Sequence, residues 1–229
     1  MKGYGQFCPV AKACEVLAER WTPLVLRELL CGSRRFNELQ RGVPLMSRSL
    51  LAQRLRTLED AGIVEQRTVR GDRRGNEYHL TAAGEELRPI IESIGTWGQR
   101  WVQAEIEEQD LDASLLMWDV RRQIRPQELP PQRVVMRMDF TGVSRGRRRW
   151  WLLIDPDGVD LCIVNPGFEV DLEMVVPVLE LTRYWLGKLS WSQLLQCAGV
   201  EIKGAGWLRR SLPKWLGRAD LAHVRHVGS

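Results

Sequence analysis

The stretch from residue 47 to residue 80 constrains the fold of this 229-residue chain more than any other part. Its first half predicts a helix, because Ser47 can cap a first turn and Gly62 suits the left-handed conformation that ends a helix. Leucines at positions 51, 55 and 58 recur at intervals of four and three residues and therefore share one face. The opposite face is polar and holds little acid. The sequence thus predicts an amphipathic helix from about residue 48 to residue 61.

The second half of this stretch predicts a basic hairpin. Residues 63–70 and 76–80 have strand character, and the glycines of segment 71–75 permit a tight reversal between them. A helix face with Arg and Gln fits the major groove of B-DNA, and a basic hairpin beside it can reach phosphates. Together they indicate a winged helix-turn-helix. The alternative is a helix and hairpin packed in an ordinary core, with a solvated charged face.

Charge is distributed unevenly along the chain. Residues 1–100 contain sixteen Lys or Arg against twelve Asp or Glu, whereas residues 101–229 contain seventeen of each. Residues 34–74 alone hold ten arginines against five acids, an excess that attracts a polyanion. The balanced second part indicates a different kind of partner.

Composition argues against several classes of function. The five cysteines show no C-x-x-C pair, so we expect neither a metal site nor disulfides, and a reducing cytoplasm as location. No apolar run approaches the roughly 18 residues that cross a bilayer, and we expect no membrane partner. With three histidines, no Ser/His/Asp or Cys/His constellation is visible. The sequence therefore predicts neither an enzyme nor a cofactor.

Helices are predicted on both sides of the hairpin. One runs over residues 9–18, a second begins with Thr22 as its cap, and a third covers residues 37–41. Residues 34–36 could add a short strand to the hairpin.

A helix after Thr81 carries an aromatic seam. Its apolar residues follow a spacing of four, three and four, namely Ile90, Ile94, Trp97 and Trp101. Pro89 is expected to kink or restart this helix. A lone winged helix has little to cover such a seam, so the pattern predicts pairing with its copy in a dimer. The alternative is packing against the second helix of the same chain.

Several motifs follow one another along the first part of the chain. They are Cys8-Pro9-Val10, Glu19-Arg20-Trp21, residues 35–39, residues 47–64, Asp72-Arg73-Arg74 and residues 78–81. Their order is that seen in the HxlR family of winged helix-turn-helix transcription regulators. Residues 5–104 therefore resemble this family. The resemblance implies a homodimer that reads an inverted repeat in double-stranded DNA. It also implies DNA contacts from two sets of residues, Ser47, Arg48, Ser49, Gln53 and Arg56 near the groove and Arg70, Arg73 and Arg74 in the wing.

The chain changes character near residue 108, where we place a domain boundary between residues 1–107 and 108–229. The second part predicts a helix at 113–123 followed by strands and then helices. The strands are predicted at 134–140, 149–154, 159–164, 168–174 and 200–203, and the later helices at 177–186, 191–197 and 205–212. This order is typical of an α+β domain whose antiparallel-rich sheet is covered by helices.

A second set of motifs lies in the second part of the chain. It comprises residues 150–155, residues 160–162, Asn165-Pro166-Gly167, Leu186-Gly187 and residues 200–204. Through these motifs, residues 112–217 resemble the sterol carrier protein-type lipid-binding fold. The resemblance implies a hydrophobic tunnel between sheet and helices for an apolar molecule. The implied lining residues, each equally explicable as plain core, are Trp151, Leu153, Leu161, Ile163, Trp185 and Trp191.

Cys8 has a functional hypothesis of its own. Some HxlR-type regulators sense oxidants or electrophiles through a cysteine at this N-terminal position, so the resemblance implies Cys8 as a redox candidate. It precedes a predicted helix whose dipole favours the thiolate. The alternative is an inert packing cysteine.

Three functional hypotheses follow from the sequence. The first is a dimeric, DNA-binding transcriptional regulator controlled by an apolar small molecule in the second domain. A second is a thiol-based redox repressor that uses Cys8. A third is a lipid carrier or acyl-handling enzyme that retains a vestigial DNA module.

Overall fold

The computed structural model describes residues 3–68, 75–102, 106–129, 131–143 and 147–227. The chain divides into two compact units, Met1–Trp97 and Gly98–Ser229. The division falls inside a helix, whereas the sequence places a boundary between residues 107 and 108, where composition changes.

The first unit is helical with a small hairpin. Its elements are α1 (Pro9–Leu17), α2 (Thr22–Leu30), α3 (Phe36–Gly42), α4 (Arg48–Asp60), β1 (Val64–Thr68), β2 (Asn76–Leu80), α5 (Ala82–Glu85) and α6 (Arg88–Trp101). Strands β1 and β2 are antiparallel, with Val64 opposite Leu80. Arg35 forms a bridge with Glu77, and the Tyr78 amide donates to the Arg34 carbonyl at 2.7 Å. The short third strand expected at residues 34–36 is thus present as a bridge.

The core of the first unit is built on α2 and α4. Leu51, Leu55 and Leu58 are at most 1% exposed and pack with Val25, Leu26 and Leu29, among others. The inward face predicted from leucine spacing is therefore confirmed. Burying these side chains orients α4 and leaves its polar side outward.

The helix starts of the first unit agree with the predictions at Thr81 and Pro89 and differ from them at α2. The N-cap of α2 is Trp21, which has a left-handed φ of 77°, and Thr22 is a buried helical residue instead of the predicted cap. Thr81 caps α5 by accepting from the Gly84 amide at 3.2 Å. Helix α6 then starts afresh at Arg88, with Pro89 in its first turn, where the missing amide hydrogen costs no helical hydrogen bond.

The second unit is an α+β structure. Its elements are α7 (Ala113–Gln123), β3 (Val134–Thr141), β4 (Arg149–Asp155), β5 (Gly158–Cys162), β6 (Leu172–Pro177), α8 (Val178–Trp185), α9 (Trp191–Gln196), β7 (Glu201–Gly204) and α10 (Gly206–Trp215). The sheet order is β5-β4-β3-β6-β7, and the β3–β6 pair is parallel while the other pairs are antiparallel. The predicted antiparallel meander of β3, β4 and β5 is confirmed.

Two boundaries in the second unit differ from the predictions. The strand predicted at 168–174 begins only at Leu172, because the preceding residues carry the chain from β5 at the edge to the far side of β3. The Asp171 carboxylate accepts from the Val135 amide at 2.8 Å at the end of this crossover. The last helix continues past Pro213, because burial of Leu212 and Trp215 stabilises its final turn.

The two faces of this sheet are packed differently. One face meets the helices through Met136, Met138 and Leu152, with further residues of β3, β4 and β6. The other carries a small apolar cluster of Val135, Trp151 and Leu153, against which Cys162 and Val170 pack. Which face a residue joins follows from the alternation of side chains along each strand.

Candidate functional site

Helix α4 presents the residues expected to contact DNA on its exposed side. Its N-cap Ser47 accepts from the Leu50 amide at 3.2 Å, and the Ser47 and Ser49 hydroxyls lie 3.1 Å apart. The side chains of Gln53 and Arg56 are exposed and make no hydrogen bond to any residue that the structure describes. All five predicted groove residues, Ser47, Arg48, Ser49, Gln53 and Arg56, lie on this exposed side.

The other arginines of α4 are engaged within the chain. Arg48 donates to the Asn37 side-chain oxygen through both terminal nitrogens, each at 3.2 Å, and its guanidinium lies 4.7 Å above the Phe36 ring. Arg54 pairs with Glu19 at 2.7 Å and joins α4 to the turn before α2. Among the described residues, Arg56 is therefore the arginine of this helix that keeps all its donors for a partner.

The turn between α3 and α4 is held by the side chain of Gln40, which no local sequence pattern singles out. The Gln40 amide donates to the Met46 carbonyl at 2.7 Å and to the Val43 carbonyl at 3.2 Å. These bonds satisfy backbone acceptors in the turn. They thereby fix the point at which α4 begins.

A buried carboxylate fixes the packing of α2 on α3. Glu28 is fully buried, pairs with Arg27 at 2.8 Å and accepts from the Ser33 hydroxyl at 3.2 Å. Its carboxyl group occupies the space that a side chain at Gly42 would need, since a Cβ there would lie 1.8 Å from the Glu28 carboxyl carbon. A sequence feature that could have indicated this buried carboxylate is the acidic residue Glu28 within the mostly apolar sequence of α2.

The hairpin is described only at its base. Gln66, Arg67 and Thr68 are exposed on β1. Glu77 on β2 pairs with Arg35 at 3.0 Å and lies 3.1 Å from the His79 ring nitrogen. The predicted wing residues Arg70, Arg73 and Arg74 lie outside the described residues.

The apolar seam of α6 is exposed. Ile90, Ile94, Trp97 and Trp101 are each between 45% and 60% exposed. Ile91, on another side of the helix, packs against the core of the first unit. The alternative in which the seam packs against α2 is therefore not what the structure shows. Contiguous exposed apolar residues of this kind mark an interaction surface.

Cys8 lies at the start of α1 and is partly exposed. The backbone N–H groups of Ala11 and Val10, at the start of α1, favour the thiolate and lower the pKa of the Cys8 thiol. A lower pKa raises the fraction of reactive thiolate at neutral pH. No residue of α1 is buried.

The six side chains expected to line one tunnel in the second unit do not converge. Trp151 and Leu153 belong to the cluster on the face away from the helices, whereas Trp185 and Trp191 belong to the helical side. Leu161 pairs with Leu152 across β4 and β5 and therefore shares its helical face, and Ile163 is 46% exposed. A single tunnel lined by all six is wrong, because strand alternation divides them between opposite faces.

An open cavity of about 750 Å³ lies elsewhere in the second unit. None of the six predicted residues lines it; its walls include Ile106, Leu111, Leu179, Leu189 and Ala198. These residues come from separate segments, so no local pattern could have revealed the cavity.

The polar part of the cavity includes the Glu180 carboxylate. Arg183 donates to Glu180 at 3.0 Å. The Cys197 thiol has one hydrogen to donate, and its sulfur lies 3.5 Å from the other Glu180 oxygen and 3.4 Å from the Gln193 carbonyl oxygen. Removal from water and the Glu180 carboxylate raise the pKa of the Cys197 thiol. This thiol is therefore mostly protonated at neutral pH.

Within the described ranges, no group of three or more His, Cys, Asp or Glu side chains could hold a metal ion. None of the helices in the same ranges is both long enough and apolar enough to cross a bilayer.

Comparison with known proteins supports the interpretation of the first unit as a helix-turn-helix unit. The HxlR-like helix-turn-helix family matches residues 16–106. The uncharacterized HTH-type transcriptional regulator YvaP of Bacillus subtilis is 36% identical over 98 residues, which span 42% of this chain and 91% of YvaP. An uncharacterized HTH-type transcriptional regulator of Synechocystis sp. is 35% identical over 112 residues, which span 49% of this chain and 80% of that relative. These relatives are regulators of transcription and not enzymes.

Among solved structures, the transcription factor PA1607 shares 31% identity. The likeness covers 45% of this chain and 71% of PA1607, with a TM-score of 0.42.

Proposed function

Because this chain belongs to the HxlR-like helix-turn-helix family of transcriptional regulators, we propose that it binds an inverted-repeat operator as a homodimer and responds to an apolar small molecule. The observation that carries the DNA-binding part is the exposed side of α4, where Gln53 and Arg56 keep their donors unused within the described chain. Arg and Gln side chains on a helix in the major groove can read base edges through paired hydrogen bonds. Exposed Ser47 and Ser49 can donate to phosphates at the helix start.

The homodimer is supported by the exposed seam of α6. An apolar stripe on one helix can bury itself against the same stripe of a second copy around a two-fold axis. Two copies of α4 would then meet two half-sites, which is why an inverted repeat is the operator expected.

The small-molecule part rests on the second unit. Its charge is balanced, which makes a polyanion an unsuitable partner, and its sheet is covered by helices on one face. The open cavity provides space for a ligand of small-molecule size. An effector must bind the two states of the protein with different affinity, so ligand binding should change operator affinity.

Substituting Arg56 tests the DNA-binding part. Arg56→Ala should lower affinity for an operator duplex by roughly 5- to 150-fold per half-site, because a paired Arg–base contact contributes about 1–3 kcal/mol. The duplex is obtained by selection from a random library with the intact protein, and affinity is measured by fluorescence anisotropy.

A matched control separates this role from net charge. Arg209→Ala removes an exposed arginine from α10 in the second unit and should leave affinity within about twofold. Equal losses from both substitutions would mean that α4 does not read the DNA. Both variants should melt within a few degrees of the parent protein.

A second candidate function, thiol-based redox regulation, is favoured by the lowered pKa of Cys8. If it operates, hydrogen peroxide or a quinone should weaken operator binding, and Cys8→Ser should abolish that response while leaving unoxidised DNA affinity unchanged. Cys31→Ser, at an exposed cysteine, is the control. An oxidant response that persists in Cys8→Ser would exclude Cys8 as the sensor.

A further inference from the structure

The open cavity of the second unit has the size and the wall chemistry of a small-molecule site. Its volume of about 750 Å³ lies within the range of roughly 300–1,000 Å³ that is typical of ligand pockets. Leu111, Leu179 and Leu189 supply apolar walls, and Ala198 leaves space at one side. Such walls favour a ligand with an apolar body.

The charges around the cavity favour one kind of head group. Arg183 forms an ion pair with Glu180 at 3.0 Å, so the charge of this carboxylate is compensated. Glu108, also at the cavity, is exposed and has no ion-pair partner in the described chain. One negative charge therefore remains. A ligand cation would be attracted to Glu108, whereas a ligand carboxylate would be repelled.

We propose that this cavity binds a small apolar amine and that this molecule is the effector. The effector role rests on the proposed function, whereas the site itself rests on the cavity. Ile106, Glu108 and Leu111 all belong to the chain segment that follows α6. For the effector role, the ligand must bind the DNA-binding and non-binding states of the protein with different affinity, and contact with this segment is the proposed origin of that difference.

Cys197 provides a readout of occupancy in the intact protein. The probes are decylamine, decanol and decanoate, which share an apolar chain and differ in head group. Alkylation of Cys197 by iodoacetamide at pH 8 is followed by peptide mass spectrometry, with exposed Cys31 as an internal reference. At a decylamine concentration about tenfold above Kd, Cys197 should react about tenfold more slowly, with Cys31 unchanged. Decanol should protect less, and decanoate least.

Two results of this experiment would overturn the inference. Equal or better protection by decanoate would contradict the charge argument. Protection by none of the three probes would mean that the cavity is not a site for this class of molecule.

Substitutions in and beside the cavity test whether decylamine binds there. Ala198→Trp fills the cavity and should abolish decylamine binding, whereas Gln196→Trp, at an exposed residue that does not line the cavity, should retain it. Glu108→Gln should weaken decylamine binding about two- to fivefold, as expected for an exposed charge pair, and leave decanol binding unchanged. Undiminished decylamine binding by Ala198→Trp would overturn the assignment of the site.

A DNA titration separates this inference from the proposed function. If decylamine protects Cys197 but leaves operator affinity unchanged, the cavity is a ligand site and the effector role is wrong. If operator binding is normal and another compound modulates it without protecting Cys197, the proposed function stands and the cavity inference fails.

Discussion

Trp97→Glu is expected to convert the protein into monomers and to lower its affinity for an inverted-repeat duplex by about 10²- to 10⁴-fold. Trp97 is 60% exposed at the centre of the α6 seam. A dimer interface would bury it, and a carboxylate buried there without a partner costs several kcal/mol. A monomer would bind one half-site at a time and lose the gain that comes from linking two binding events.

Sedimentation velocity and fluorescence anisotropy check this result. The matched control is Trp207→Glu, the same exchange at a tryptophan of α10 that is 43% exposed. Because Trp207 is not in the seam, this variant should stay dimeric and bind the duplex normally. A Trp97→Glu protein that sediments as a dimer would show that the seam is not the interface.

Gly42→Ala is expected to destabilise the first unit by about 3 kcal/mol or more, because the new methyl group would displace the buried Glu28 carboxylate from its donors. Gly42 is not at a positive φ, so the cost is steric and electrostatic and not a matter of backbone strain. For a unit of about 100 residues this corresponds to a fall of roughly 10–20 °C in Tm. Differential scanning calorimetry measures it.

Gly98→Ala is the control for this exchange. Gly98 also lies in a helix, but nothing stands within 4 Å of the Cβ position. Alanine should therefore stabilise α6 by about 0.4–1 kcal/mol. If Gly42→Ala were as stable as the parent, the Glu28 carboxylate would have to move at little cost, and its role in holding α2 on α3 would be refuted.

The first unit could be predicted well because its signals are local. The leucine spacing of α4 and its cap at Ser47 depend on residues a few positions apart, and both are present in the structure. Trp21 was not expected as a helix cap, because a left-handed conformation at a bulky residue is unfavourable unless tertiary packing stabilises it. The Glu28–Gly42 contact was likewise hidden, since it joins two helices.

In the second unit, element types were easier to predict than the faces that their side chains join. The register between β4 and β5 places Leu161 beside Leu152 and away from Trp151, and nothing in either strand alone specifies it. A shift of one residue would exchange the two faces. The cavity depends on an even wider set of segments, from Ile106 to Ala198, and only the folded chain brings them together.

Several arginines of the first unit form hydrogen bonds or ion pairs within the chain. These contacts affect how the DNA affinity should respond to ionic strength. Each arginine that neutralises a phosphate releases condensed counterions, and the salt dependence of binding counts those releases. Of the ten arginines between residues 34 and 74, several instead hold the protein's own structure. Arg34 binds the Leu29 carbonyl, Arg35 binds Glu77, Arg48 binds Asn37 and Arg54 binds Glu19. The number of counterions released per subunit should therefore be well below ten, the number of arginines in this segment. The arginine content of the sequence accordingly overestimates the number of phosphates that each subunit neutralises.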